Sequence, residues 1–376
     1  MRLEKTMENL TVIYVRNKHI TPSSYYRIIQ YSNKFTGNIK IREIAPDFIY
    51  KKQLNKRRNK IEGYIIGALY YLIMIFRVLN FLIIDNISIP KYVIVSKTFC
   101  PKYTPVIIRI LIKKLSQKSI LYWDFDDHIF IKNEISDSQA RILKKESEKI
   151  IVTNEYLKSK IEKEYHDKII LLPTTDGDLQ GFNEEHLLLK RMSTFEEKVN
   201  LVWVGTSVNL PNILKIIDKL DKAAEKIEKD QNKKLILTIV CNEKLQVSVN
   251  KLQIRNISWS RDVAKKEMYN AHIGIMPLVL NEYSLGKGGF KIIQYISTGL
   301  PVIASKVGFN KEIVNENFGV LIDDEYDGDE WIDVIINMSS SKDVWKNYSY
   351  NAYKRWKENF SFNYNLGVWK KLLEMT

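Results

Sequence analysis

Ile273–Gly308 reads IGIMPLVLNEYSLGKGGFKIIQYISTGLPVIASKVG, and the order of its parts decides the fold. A short β-branched run ends at Pro277, and a loop passes through Glu282, Tyr283 and Ser284. Gly286-Lys287-Gly288-Gly289 then opens a stretch of helical spacing that stops at Gly299, and Pro301 leads into a second apolar run. Strand, loop, helix and strand in this order form the unit of a parallel sheet with crossover helices. Gly288 and Gly289 let the backbone approach a ligand closely. A helix start there offers free N–H groups and positive partial charge, which suit a diphosphate. Lys287 and Lys291, four apart, share one face of the first turn and add two full charges. Gln294 lies near the same face, within reach of ribose hydroxyls. Gly299 and Pro301 are an ordinary helix stop. Glycines before a helix are common in α/β chains, so this pattern alone points only weakly to an anion site.

The same alternation extends outward on both sides. Strand-like runs fall at Thr11–Val15, Tyr92–Ser96, Ile120–Tyr122, Lys149–Thr153 and Ile169–Leu172 in the first half. In the second half they fall at Asn200–Val204, Leu235–Val240, Ile254–Ser258, Ile273–Met276, Val302–Ala304 and Gly319–Ile322. Both series read as doubly wound sheets. A chain of 376 residues is long for one such domain and comfortable for two. The turn cluster Leu172–Asp178 (LPTTDGD) suits a hinge, giving an expected first domain of residues 1–173 and a second of 174–350.

Asp124, Asp126 and Asp127 follow ILYW, at what the pattern makes the C-terminal end of a strand. Carboxylates there can orient an acceptor hydroxyl or balance a cationic transition state, or can equally serve as helix cap or loop ion pair. His128, next to them, suits the same acceptor side or a structural role. Trp259 ends another strand, where it can pack over a base or in a core.

Two cysteines, Cys100 and Cys241, form neither a disulfide framework nor a zinc site, and a reducing compartment is the expectation. The first residues show no apolar leader pattern. Charge is unevenly placed: residues 1–172 hold 31 Lys and Arg against 17 acids, and the rest is balanced at 27 against 27. A basic half implies an acidic partner surface. Nucleic acid fits poorly, because the run Lys51–Lys60 (KKQLNKRRNK) lacks interleaved aromatics and no binding motif accompanies it. The apolar stretch Tyr64–Ile84 is long enough to span a bilayer, but Arg77 and Asn80 lie within it and YVIVS follows soon after. A helix partly buried and partly dipped into a membrane face is the reading adopted; a wholly internal helix is the plain alternative.

The Ile273–Gly308 segment resembles the donor region of family 4 glycosyltransferases, in particular a bacterial subgroup. Gly286, Lys287, Phe290, Lys291, Gln294, Tyr295, Gly299, Pro301, Val302, Ala304, Ser305, Val307 and Gly308 carry the likeness. Asp124-Phe125-Asp126-Asp127, Trp203-Val204-Gly205-Thr206, Pro173-Thr174 and Ser23-Ser24-Tyr25-Tyr26-Arg27, with Gln30, are similar to further landmarks of that subgroup. The resemblance implies two Rossmann-like α/β domains facing a cleft, the GT-B type, with a last helix (351–376) crossing back to the first domain. It implies a retaining transferase that takes a sugar from a nucleotide-sugar donor; since the helix start and the two lysines already neutralise the diphosphate, no cofactor or metal is expected. Lys287, Lys291, Asp126 and Asp127 would be catalytic. Gly205, Thr206, Trp259, Glu282, Ser284, Gly288, Gly289, Phe290 and Gln294 would hold the donor, and Ser24, Arg27, Asp124 and His128 would face the acceptor. With the basic half and the apolar helix, a glycan or polyprenyl-linked acceptor at the cytoplasmic, anionic face of a bacterial plasma membrane is expected.

The chain departs from the family at two points. Of two family glutamates seven apart, the second falls on Gln294 and the first on Gly286, with Glu282 as the only substitute nearby. Gly205–Ile213 (GTSVNLPNI) also lacks the usual cation pair, leaving Lys287 and Lys291 as the main diphosphate counter-charges. A sugar-nucleotide epimerase of the same fold is the enzymatic alternative, although the donor loop is rich in lysine and poor in glutamate.

Overall fold

The computed structural model describes residues 10–55, 58–131, 134–323 and 329–375. The chain divides into two compact units: Met1–Thr174 with Asn365–Thr376, and Thr175–Tyr364. Each is an α/β unit built on a six-stranded parallel sheet.

In the first unit the strands are β1 (Leu10–Val15), β2 (Asn38–Glu43), β3 (Tyr92–Ser96), β4 (Ile120–Phe125), β5 (Lys149–Val152) and β6 (Ile169–Leu171). They run in the order β2-β1-β3-β4-β5-β6. β1 (LTVIYV) and β3 (YVIVS) are buried along their whole length, as central parallel strands covered on both faces must be. β2 (NIKIRE) is a strand that hydrophobic runs alone do not reveal. Only Ile39 and Ile41 are apolar, and it sits at the sheet edge, where polar side chains meet solvent.

Helix α1 (Lys60–Ser88) connects β2 to β3, and α2 (Val106–Ser116) connects β3 to β4. α1 starts where Asn59 accepts from the Glu62 N–H at 2.8 Å. It ends at Ile89, whose backbone is left-handed (φ 45°), followed by Pro90. One face buries Met74, Val78 and Leu82, roughly 1.5–3 kcal/mol for each side chain removed from water. On that face Asp85 accepts from Tyr14 Oη at 2.6 Å and pairs with Arg42. Arg77 reaches the Glu43 carbonyl at 2.8 Å. α1 is not the internal helix of the plain alternative, because Ile61, Tyr64, Ile65, Leu72 and Phe76 along it are exposed.

The second unit contains β7 (Lys198–Val204), β8 (Lys234–Cys241), β9 (Gln253–Ser258), β10 (Ile273–Met276), β11 (Val302–Ser305) and β12 (Gly319–Ile322). Their order is β12-β11-β10-β7-β8-β9, so the winding reverses between β7 and β10. Alternation along β7 sends Val199, Leu201 and Trp203 into one core and Val202 and Val204 into another, which is what two covered faces require. Short α3 (Glu282–Leu285) and then α4 (Phe290–Ser297) follow β10.

Helix α5 (Lys342–Asn359) buries Trp345, Ala352 and Trp356, and its Ser349 hydroxyl donates to the Gly299 carbonyl at 2.6 Å. These contacts keep it in the second unit, so the segment joining the first unit begins at Asn365 and not at residue 351. Within α6 (Phe362–Leu372), Asn365 donates to the Pro173 carbonyl and Tyr122 Oη donates to the Leu372 carbonyl, both at 2.6 Å.

Candidate functional site

Ligands of open parallel sheets sit outside the carboxyl ends of the strands, where the winding reverses. In the second unit that point lies between β7 and β10. The loop leaving β7 begins with Gly205 and Thr206, and the loop leaving β10 leads through α3 to Gly286–Gly289 and α4.

Gly289 caps α4 with a left-handed backbone (φ 60°). A Cβ there would lie 2.2 Å from Ile313 Cδ1, the tip of a side chain that would have to move, and the left-handed backbone is the main bar to another residue. Asn281 starts α3 by accepting from the Ser284 N–H at 2.8 Å. The consequence of this turn is the placement of two lysines. Lys287 Nζ donates to Asn209 Oδ1 at 2.6 Å and lies 5.0 Å from the Tyr283 ring centre. Asn209 in turn donates to Thr206 Oγ1 at 3.0 Å. Lys291 Nζ lies 5.9 Å from the Trp203 ring centre. Gly205 is wedged beside both, and a Cβ on it would meet Trp203 at 2.6 Å and Lys291 Cε at 3.1 Å. Tyr295 Oη accepts from the Val204 N–H at 3.1 Å, pinning α4 to the end of β7.

Lys287, Lys291, Gly205 and Thr206, expected together from sequence, are thus gathered at the reversal point. Phe290 is half-buried at the first position of α4. Ser284 is buried, while Glu282 is exposed at the start of α3. Gln294 is buried, and its amide donates to Asp176 Oδ2 at 2.7 Å. Burial pushes Asp176 up to about 6, against the hydrogen bond from Gln294, which acts to lower it. Trp259 is 49% exposed, which excludes the core reading. Sequence reasoning missed Asn209, the partner of Lys287. An asparagine four residues beyond the glycine that ends a central strand was its only signal.

In the first unit the reversal lies between β1 and β3. A cavity of about 70 Å³ is lined there by Ser23, Ser24, Tyr50 and Lys97, among others. The aspartates divide into two groups. Asp124 is fully buried and pairs with Arg27, which also donates to the Leu172 carbonyl and Thr174 Oγ1. Burial raises Asp124, opposed by Arg27. Both side chains are buried, and the pair fixes the end of β4 to the residues after β6. Asp126 and Asp127 instead meet Lys97 Nζ at 2.9 and 2.7 Å. Burial acts to lower Lys97, but the two carboxylates outweigh it and hold the ammonium charged above its usual range. Asp126 is raised by burial, opposed by Lys97.

Lys97 was also missed. It adopts φ 61°, with its N–H on the Asp124 carbonyl at 2.7 Å and its carbonyl accepting from Trp123 Nε1 at 2.9 Å. A lysine directly after a buried strand is the signal that could have found it. His128 is buried, edge-on to Phe130 and Tyr156. Among the described residues, no cluster of three or more His, Cys, Asp or Glu is placed to hold a metal.

Residues 197–355 match the family described as glycosyl transferases group 1, a stretch that contains β7 to β12 and both lysines. No curated protein matches the chain. Among solved structures, a glycosyltransferase from Rickettsia africae ESF-5 aligns over 98% of both chains, at TM-score 0.62 and 14% identity. Anabaena Alr3699/HepE in complex with UDP-glucose covers 97% of this chain and 99% of its own, at TM-score 0.62 and 11% identity. A UDP-N-acetylglucosamine 2-epimerase from Listeria monocytogenes, named as such provisionally, aligns over 98% of both at TM-score 0.57 and 11% identity. These structural likenesses concern the fold, which is the two-Rossmann GT-B architecture. The group 1 match adds the chemistry: the chain is a glycosyltransferase.

Proposed function

We propose that this enzyme takes its sugar from a nucleotide-sugar donor held by the second unit and transfers it with retention, without a metal. The observation that carries the reading is the convergence of Lys287 and Lys291 with the Gly205–Asn209 loop at the sheet reversal. Two ammonium groups and the N-terminal end of α4 form a preorganised site for the diphosphate that departs. Charge developing on the leaving group would then be met by groups that need no rearrangement, worth a few kcal/mol for each donor. UDP is the first nucleotide to try, because the Anabaena neighbour was solved with UDP-glucose. Trp259, exposed beyond β9, is the aromatic surface proposed for the base.

The acceptor proposed is a glycan, free or polyprenyl-linked, of a bacterial envelope polymer at the cytoplasmic membrane face. The charge excess of residues 1–172 supports a membrane-held acceptor, since an anionic surface attracts such a half. Asp126 and Asp127 are the carboxylates proposed to orient the acceptor hydroxyl, with Lys97 holding them.

A melting-temperature screen with UDP, GDP, TDP and ADP tests the donor site, since ligands that bind only the folded state raise it. One nucleotide should stand out; no shift with any of the four overturns the donor assignment. Incubation of the matching nucleotide sugar alone separates the epimerase alternative, which would isomerise it without acceptor. Proton NMR of a transferred sugar reads the anomer, and inversion overturns retention.

A further inference from the structure

We propose that α1 lies in the plane of an anionic bilayer, immersed along one face, with the start of α2 as a second point of immersion. The proposal deepens the reading of a membrane-held acceptor and rests on it for its purpose. Ile61, Tyr64, Ile65, Leu69, Leu72 and Phe76 are all exposed, at spacings of three and four that place them on one side of the helix. Solvated surfaces seldom carry an apolar stripe of this length without an occupant. α2 adds exposed Val106, Ile107 and Ile110, preceded by Tyr103. Tyr71 Oη on the Tyr103 carbonyl at 2.7 Å joins α1 to the segment before α2, and Asn86 Nδ2 on the Leu111 carbonyl at 3.1 Å joins it to α2 itself.

Charge selects the occupant. Residues 51–118 hold fourteen Lys and Arg against two acids, Glu62 and Asp85, and Asp85 is buried and paired with Arg42. This stretch therefore carries a formal net +12, and although Lys91 and Lys97 are paired with acids outside it, the remainder is still most of the chain's excess. A second copy docked face to face would bring two such stretches together, whereas an anionic lipid surface complements them. The packing of α1 selects its orientation. Met74, Val78, Leu82 and Asp85 hold its opposite face in the core, and Arg77 is tied to the Glu43 carbonyl. A transmembrane α1 would lose those contacts and expose Asp85 to hydrocarbon. An in-plane helix keeps them, with its free face at the level of headgroups and first methylenes.

The test is flotation of the full chain with phosphatidylcholine vesicles, with and without phosphatidylglycerol, at low and high salt. The protein should float with the anionic vesicles and retain part of its binding in 1 M salt, about the level at which surface charge is screened within 3 Å. Tyr64→Ser/Leu72→Ser/Phe76→Ser should lower the salt-resistant fraction at least tenfold, and Ile107→Ser/Ile110→Ser should lower it less. Both variants should keep the parent's melting shift with its nucleotide, which reports folding and the donor site independently of membrane binding. A fluorophore on Leu72→Cys should be quenched by labels at the lipid carbonyl level; the two native cysteines are buried. Quenching from the bilayer centre overturns the in-plane orientation. Absence of flotation, serine variants that float like the parent, or a parent dimer in sedimentation that the serine variants abolish would each overturn the docking surface. A normal nucleotide shift beside any of these leaves the transferase reading intact.

Discussion

The Gln294 amide donates to Asp176 at 2.7 Å, tying the helix that carries Lys291 to the first residues of the second unit. Burial, acting against that bond, makes the carboxyl a pH reporter. Burial lifts Asp176 from 3.8 to about 6. A carboxyl raised on folding favours the folded state in its protonated form. Its contribution is complete below about pH 4 and is lost as pH rises through about 6. Asp176→Asn should therefore be more stable than the parent at pH 8, by about 1–2 kcal/mol after loss of one acceptor oxygen, with the difference closing by pH 4. Urea unfolding at both pH values decides it; a difference that does not change with pH contradicts the assignment.

Lys287→Ala and Lys291→Ala should each weaken binding of the enzyme's nucleoside diphosphate by about 1.5–3 kcal/mol, the range for losing a charge-assisted hydrogen bond. Asn209→Ala should weaken it by less, because it removes only the group that places Lys287 Nζ. Titration calorimetry gives all three values, and unchanged affinity in both lysine variants would remove the site.

Gly289→Ala combines a positive φ with a Cβ 2.2 Å from Ile313. It should cost about 2–4 kcal/mol, and Ile313→Val added to it should recover only the steric part. A melting temperature within a degree of the parent would mean that the turn at α4 is not held as described.

Lys97→Met should destabilise the first unit by about 1–3 kcal/mol, because it leaves the partly buried Asp126 and its neighbour Asp127 without their counter-charge. A double-mutant cycle with Asp126→Asn should show coupling above about 1 kcal/mol. Since Lys97 fills the cationic role between Asp126 and Asp127, transfer activity should also survive EDTA. Loss of activity that Mg²⁺ or Mn²⁺ restores would replace the metal-free mechanism.

The sequence reveals most where side chains alternate between two buried faces. Eleven of the twelve strands are visible as β-branched runs, and the glycine-lysine turn before α4 is visible as a helix start. The twelfth, β2, escapes because an edge strand can satisfy its polar groups with water and needs no apolar run. The division of Asp124 from Asp126 and Asp127 is equally hidden. It depends on Arg27 and Lys97, which lie 97 and about 30 residues away and approach only when β1, β3 and β4 pair. The boundary after α5 was misplaced for a similar reason: Trp345 and Trp356 declare themselves apolar but not which core they enter.

The return of residues 365–376 to the first unit also has a consequence for synthesis. The second unit is one uninterrupted stretch of about 190 residues, and at ribosomal rates it emerges in roughly 10–40 s. Through that interval the first sheet waits with Tyr122 and Pro173 lacking their eventual partners, Leu372 and Asn365. The first unit therefore completes its packing only after the whole second unit has been synthesised.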